Sequence, residues 1–261
     1  MPGRAYADTV VGRLGAGAVP RLVMVGHMDT VFGPGTAAAR PYRVADGRVL
    51  GPGASDMKGG LLAGLYAMRA LRALDASWPR GQVVLVANPD EEVASPESTP
   101  VIVAEARGAD AAFVLESARA NGDIVSSRKG VADILLRLHG RAAHAGVEPE
   151  KGRSAILEAA HQVVALHALN GRWPTVTVNA GVIRGGTRPN VVAERCELQV
   201  DLRAATVDAF DAAAAEVARL AAEPTVADVR IDLRRIASHP PMEKTEASGR
   251  LVDHAVAIAS E

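Results

Sequence analysis

Two regimes of apolar and polar positions follow one another along the chain. In the first, short Val-rich runs end abruptly in polar, Gly or Pro residues. RLVMVG (21–26), QVVLVA (82–87) and AAFVL (111–115) each predict a buried strand. Between the first two, Leu62, Leu65, Met68, Leu71 and Leu74 recur at helical spacing within 59–75. Strand, helix, strand, helix, strand predicts an α/β domain built on a mostly parallel sheet. The Gly- and Pro-rich stretch 33–54 predicts a hairpin, its YRV and RVL arms flanking an Asp-Gly turn at 46–47.

From about residue 128 the period changes. VADILLRLHG (131–140) alternates apolar and polar residues, as a half-exposed strand does. A helix over 153–168, strands near 175–183 and 195–203, a helix over 207–222 and a strand over 229–236 complete a ferredoxin-like α+β order. Pro240-Pro241 closes that unit, and an amphipathic helix from Thr245 no longer belongs to it. The expected organisation is one domain over 1–127, a second over 128–238, and a return to the first over 239–261.

Composition narrows the functional classes. With 29 basic and 30 acidic side chains, the 261-residue chain carries a net charge of -1. No basic field is present to neutralise phosphates, which argues against a nucleic-acid partner. No run approaches the length of a membrane span, and MPGRAYADTV lacks the apolar core of a signal peptide, so the expectation is a cytoplasmic protein with no membrane partner. The single Cys196 excludes an intramolecular disulfide and any cysteine-built metal site.

The candidate chemistry lies where the strands stop. Strand 21–26 runs into His27-Met28-Asp29, strand 82–87 into Asn88-Pro89-Asp90-Glu91-Glu92, and strand 111–115 into Glu116. Ser55-Asp56-Met57-Lys58-Gly59-Gly60 opens the first helix. Ligands of open α/β sheets bind outside the carboxyl ends of strands. One acidic loop after a strand is ordinarily a solvated turn; four sites converging on one sheet edge are a constellation. One His with several carboxylates and no Cys suits zinc, manganese or cobalt. His27 and Asp29, two apart on extended backbone, point to one side, so one can bind metal while the other orients the ring. On extended backbone Glu91 and Glu92 diverge, leaving one for metal and one for a proton.

GHMDTVF, GPGASDMKGG, NPDEE and VLES, in that order, resemble the dizinc peptidases: glutamate carboxypeptidase, acetylornithine deacetylase, succinyl-diaminopimelate desuccinylase and the aminoacylases. GRAAHAG (140–146) and RPNVV (188–192) extend the resemblance, and PYRVADGRVLGPGASDMKGG with NPDEE is most similar to the glutamate carboxypeptidase branch. The resemblance implies a zinc-peptidase domain carrying an inserted ferredoxin-like lid that dimerises the protein. It implies that His27, Asp56 and Glu116 hold one zinc, that Asp56 and Glu92 hold a second, that Glu91 is the general base, and that Asp29 buttresses His27. His144 would reach into the partner subunit's site as an oxyanion donor, while Asn190 and Arg203 would grip a substrate carboxylate. Lys129 is a weaker candidate of that kind, and His139, His161, His167 and His254 read as packing or surface residues.

The implied activity is hydrolysis of an amide in a small peptide or N-acyl amino acid, by a carboxypeptidase releasing Glu-like residues or by a deacylase. Relatives take a further His ligand from a segment that nothing after residue 239 matches, and they carry a helix and a strand ahead of the GHMDT strand. Both ends of the catalytic domain therefore read as missing, with about a hundred residues lacking on the C-terminal side. The alternative expectation is a non-catalytic remnant that dimerises through its lid.

Overall fold

The computed structural model describes residues 6–17, 19–75, 77, 78 and 80–260, in two compact units, Met1–Asp123 and Ile124–Glu261. In the first unit the Val-rich runs become β2 (Arg21–His27), β5 (Gln82–Asn88) and β6 (Ala111–Val114). They pair in parallel as β5-β2-β6, with Val23, Val84 and Val86 at the centre of the core. β1 (Val10–Leu14) adds an antiparallel edge on β5 that the hydrophobic pattern had not announced. Its residues are half-buried or exposed, so the strand is defined by pairing with β5 and not by a buried run of its own.

Between β2 and β5 lie a short helix, α1 (Thr36–Ala39), and the two-stranded hairpin of β3 (Arg43–Ala45) and β4 (Arg48–Leu50) around Asp46-Gly47. Both turn residues have positive φ, as this class of tight hairpin requires. A wide turn, Ala54–Lys58, then leads into α2 (Gly59–Leu74). α2 approaches the end of β6 so closely that a Cβ on Gly60 would lie 1.8 Å from the Leu115 carbonyl oxygen. α3 (Thr99–Ala106) connects β5 to β6.

The second unit is the ferredoxin-like order in full. β7 (Gly130–His139), α4 (Ala155–His167), β8 (Thr177–Gly185), β9 (Arg195–Ala204), α5 (Val207–Ala222) and β10 (Arg230–His239) form an antiparallel sheet ordered β10-β7-β9-β8. Ile134, Leu136 and Leu138 of β7 and Leu198, Val200 and Leu202 of β9 alternate onto one face. They pack against Ala159 and Leu166 of α4 and Ala213, Ala214 and Val217 of α5. Alanine on the helices substitutes for aromatic bulk, letting the helices sit low on the sheet. Both helices start where a hydroxyl accepts a free amide: Ser154 from Leu157 at 3.1 Å and Thr206 from Ala209 at 3.4 Å. β10 runs past its predicted end because a register shift between Arg235 and Ala237 lets pairing with β7 continue to Val131. α6 (Glu246–Ala259) follows, capped by Thr245. Among the described residues, no helix is long and apolar enough to cross a membrane.

Candidate metal centre

β2 ends on His27, whose ring is 1% exposed. Its Nε2 lies 3.0 Å from Asp56 Oδ1 and 3.2 Å from Glu116 Oε1. One ligand atom from each of these three residues lies within 4.8 Å of the others. Two ligands about 2.0–2.1 Å from a tetrahedral zinc stand roughly 3.3 Å apart, so these separations and this donor set fit a divalent cation.

Three local features bring the trio together. A Cβ on Gly26 would meet the Met57 side chain at 2.7 Å, so glycine lets Met57 pack beneath the strand end without either side chain shifting. Met57 is fully buried, and its sulfur accepts the His27 amide at 2.8 Å, which fixes the turn bearing Asp56 against β2. Ser117 donates its hydroxyl to the Ser55 carbonyl at 2.6 Å, tying the neighbours of Glu116 and Asp56 to each other.

Asp29 faces the other side of the imidazole, with Oδ1 3.2 Å from His27 Nδ1. The same carboxylate accepts the amides of Glu91 at 3.3 Å and Glu92 at 3.0 Å. The backbone here is not extended, as expected from sequence, but a 3-10 turn over Glu91–Val93. Asp29 closes that turn by binding two successive amides, and the side chains of Glu91 and Glu92 diverge from it. Glu91 Oε2 stands 3.9 Å from His27 Nε2, while Glu92 Oε1 accepts the Val31 amide at 3.1 Å and lies outside the group of three.

The electrostatics follow from this crowding. Burial pushes the Glu91 carboxyl up, and Glu116, Glu92 and Asp29 add to the rise against the lowering pull of His27. Burial favours the neutral form of His27, but Glu116, Glu91, Asp29 and the contact with Asp56 outweigh it and raise its pKa.

Asn88, Asp90 and Ser98 are buried polar residues beside the Glu91–Glu92 turn; the NPDEE run contains the first two but gives no sign of their burial. Burial alone would raise the Asp90 carboxyl; hydrogen bonds from Ser98, Glu97 and Asn88 hold it below its ordinary value instead. Ser98 followed by Pro100 in the first turn of α3 was the available signal, since that pairing marks a helix start.

The second unit carries the remaining candidates. The segments around His144 and Asn190 are zipped together: Ala145 donates to the Asn190 carbonyl and Val192 to the Ala143 carbonyl, each at 3.0 Å. Gly146 donates its amide to His144 Nδ1 at 3.2 Å, so in the neutral ring the proton sits on Nε2. Arg203 lies exposed on β9, its guanidinium bound to Asp201 at 2.9 and 3.2 Å.

Residues 126–229 match the model of the M20 peptidase dimerisation domain. The chain is 30% identical to carboxypeptidase G2 of Pseudomonas sp. (strain RS-16) over 262 aligned positions, which cover 99% of this chain and 62% of that one. Residues 126–229 are thus similar to the M20 peptidase dimerisation domain, and the alignment with carboxypeptidase G2 extends that similarity over nearly the whole chain. It is also 27% identical to N-acetyl-L-citrulline deacetylase of Xanthomonas campestris pv. campestris, over 76% of this chain and 54% of the relative. Its backbone superposes on a tripeptidase from Staphylococcus aureus with a TM-score of 0.72 at 21% identity, covering 97% of this chain and 68% of that one, which supports the fold. The chain thus spans less than two thirds of the length of either curated M20 relative.

Proposed function

We propose that this chain carries the metal- and base-bearing part of a hydrolase that cleaves amides in small peptides or N-acyl amino acids. The observation that carries this reading is the convergence of His27 Nε2, Asp56 Oδ1 and Glu116 Oε1, with Glu91 Oε2 3.9 Å from the same imidazole nitrogen. His27, Asp56 and Glu116 would hold one zinc, and Asp56 with Glu92 would contribute to a second; cobalt and manganese suit the same donors. Bound there, zinc supplies Lewis acidity that lowers the pKa of water and polarises an amide carbonyl.

The chain's own residues supply the rest. Glu91, exposed on one side and crowded by carboxylates on the other, takes a proton from the attacking water and returns it to the leaving amine. Asp29 holds the imidazole through Nδ1, leaving Nε2 to face the metal ligands. The dimerisation domain supports a homodimer, in which His144 Nε2–H of one protomer would donate to the oxyanion in its partner's site. Asn190, on the segment zipped to His144, would face the same substrate, and Arg203 would engage a carboxylate if released from Asp201. The similarity to a carboxypeptidase and to a deacetylase favours two substrate classes, C-terminal Glu-like residues and N-acyl amino acids.

Zinc titration of the purified chain, followed by assay on N-acyl-glutamate and N-acetyl amino acids, tests the reading. The expected result is zinc-dependent hydrolysis that Glu91→Gln lowers about 10²–10⁴-fold while zinc remains bound. No zinc binding, or hydrolysis indifferent to Glu91→Gln, overturns it and favours a non-catalytic, dimerising role.

A further inference from the structure

Three polar side chains next to the Glu91–Glu92 turn are withdrawn from water: Asn88 is 1% exposed, and Asp90 and Ser98 are both 0% exposed. A buried carboxylate is costly unless hydrogen bonds satisfy it. Asp90 has its donors: Asn88 on the near side, and Glu97 and Ser98 from the far end of its own loop. Its Oδ1 accepts the Ser98 hydroxyl at 2.5 Å, and its Oδ2 accepts the amides of Glu97 at 2.8 Å and Ser98 at 3.1 Å. Its carbonyl accepts the Ser95 amide at 2.7 Å. Asn88, the last residue of β5, completes the ring by donating to Ser98 Oγ at 3.2 Å and Ser95 Oγ at 3.3 Å.

The loop so closed is under backbone strain. Ala94 and Ser95 are consecutive non-glycine residues in the left-handed region, at φ 74° and 51°. Such conformations persist only where surrounding contacts over-determine them. An acidic surface turn needs neither the strain nor the buried carboxylate. What the ring fixes is the turn between its two ends, the one bearing Glu91 and Glu92.

We propose that Asp90, acting with Asn88 and Ser98, is a positioning group for Glu91: the ring sets the 3-10 turn so that Asp29 receives both glutamate amides and Glu91 stands beside His27. The Asp90 carboxylate is bound to loop residues and to Asn88, and to none of His27, Asp56 and Glu116; it acts through the loop. The inference rests on the reading of Glu91 as the general base. Displacing a base by about an ångström can cost 10²-fold in rate, so a loop held this firmly has a catalytic use.

The test compares Asp90→Asn, Ser98→Ala and Ser98→Thr in the full chain. Asp90→Asn keeps the shape but sets an amide NH₂ against donors, Ser98→Ala removes one hydroxyl, and Ser98→Thr keeps it. Amide hydrogen exchange at Glu91 and Glu92 is read against Val23 and Val84 in β2 and β5, together with zinc affinity, kcat and KM. In Asp90→Asn and Ser98→Ala, exchange at Glu91 and Glu92 is expected to rise at least about tenfold with the strand amides unchanged. Affinity for the zinc held by His27, Asp56 and Glu116, none of which lies on this turn, and KM hold within about twofold while kcat falls roughly 10- to 100-fold, and Ser98→Thr restores slow exchange. Unchanged exchange at Glu91 and Glu92, or an equal rise in β2 and β5, overturns the proposal, as does a released loop with kcat intact. If the chain binds no zinc and hydrolyses nothing, the functional reading fails, and the exchange pattern alone still decides whether the ring holds the turn.

Discussion

The sulfur of Met57 accepts the backbone amide of His27 at 2.8 Å, and this contact joins the end of β2 to the turn that carries Asp56. Sulfur is a weak acceptor, so packing supplies most of the energy. Met57→Ala empties a fully buried site and is expected to destabilise the first unit by about 2–5 kcal/mol. It also frees the Asp56 turn, so zinc affinity should fall in the same variant. Leu, which restores volume without sulfur, should recover most of the stability. Urea unfolding and zinc titration of the two variants separate the packing from the hydrogen bond.

Removing metal should cost stability. Asp29, Asp56, Glu91 and Glu116 all lie near the one His27 ring, and their mutual repulsion is offset by a divalent cation. Zinc at a hundredfold excess over its Kd stabilises the folded chain by about 2.7 kcal/mol. The Tm should therefore rise by several degrees with zinc and fall on chelation. Asp56→Ala should abolish the zinc-induced rise. A zinc effect that survives Asp56→Ala would place the metal elsewhere.

The residues that meet at the metal centre were legible because each sits at a strand end or helix start, where position follows from topology. His27 and Glu116 could be placed on one sheet edge from the order of strands and Asp56 from the turn that opens α2, while their grouping as one set came from the family resemblance. Met57, Asn88, Asp90 and Ser98 could not be placed in this way. Asp90 lies in an acidic run that looks solvated, and it is buried only because the loop folds back to put Ser98 at the start of α3. Met57 looks like one more apolar residue until Gly26 leaves space for it beneath β2. β1 escaped notice for a related reason: its Val10 and Val11 are not enclosed, and the strand exists through its ladder with β5. Periodicity reports burial of whole faces, as in β7 and β9, and is silent on single contacts between distant loops.

The core of the second unit should respond to truncation where the helices meet the sheet. Leu198 is 0% exposed at the centre of β9, and Leu198→Ala is expected to cost about 2–5 kcal/mol. Gln199, the next residue, points to the opposite and exposed face, so Gln199→Ala should stay within about 0.5 kcal/mol. Trp173 packs against this core, and its fluorescence during urea unfolding reads both variants. Equal effects from the two substitutions would mean that the alternation along β9 is misassigned.

Acid should weaken the second unit through Glu216. Its carboxylate accepts from Arg219 at 2.9 and 3.0 Å and from Arg172 at 2.8 Å. Those hydrogen bonds, Arg219 first, lower its pKa from 4.5 to about 2. A folded pKa below the unfolded one means that the contribution is fully present above about pH 4.5. It shrinks as the unfolded chain binds its proton, and it is gone once pH passes below the folded value near 2. The group lies at the surface, where solvent and salt screen it, so the effect should be modest and smaller in high salt. Glu216→Gln should therefore unfold at lower urea than the parent at pH 6, with the gap narrowing between pH 4.5 and pH 3. A gap of constant size across that range would show that the variant loses packing and that the two arginines contribute nothing through charge.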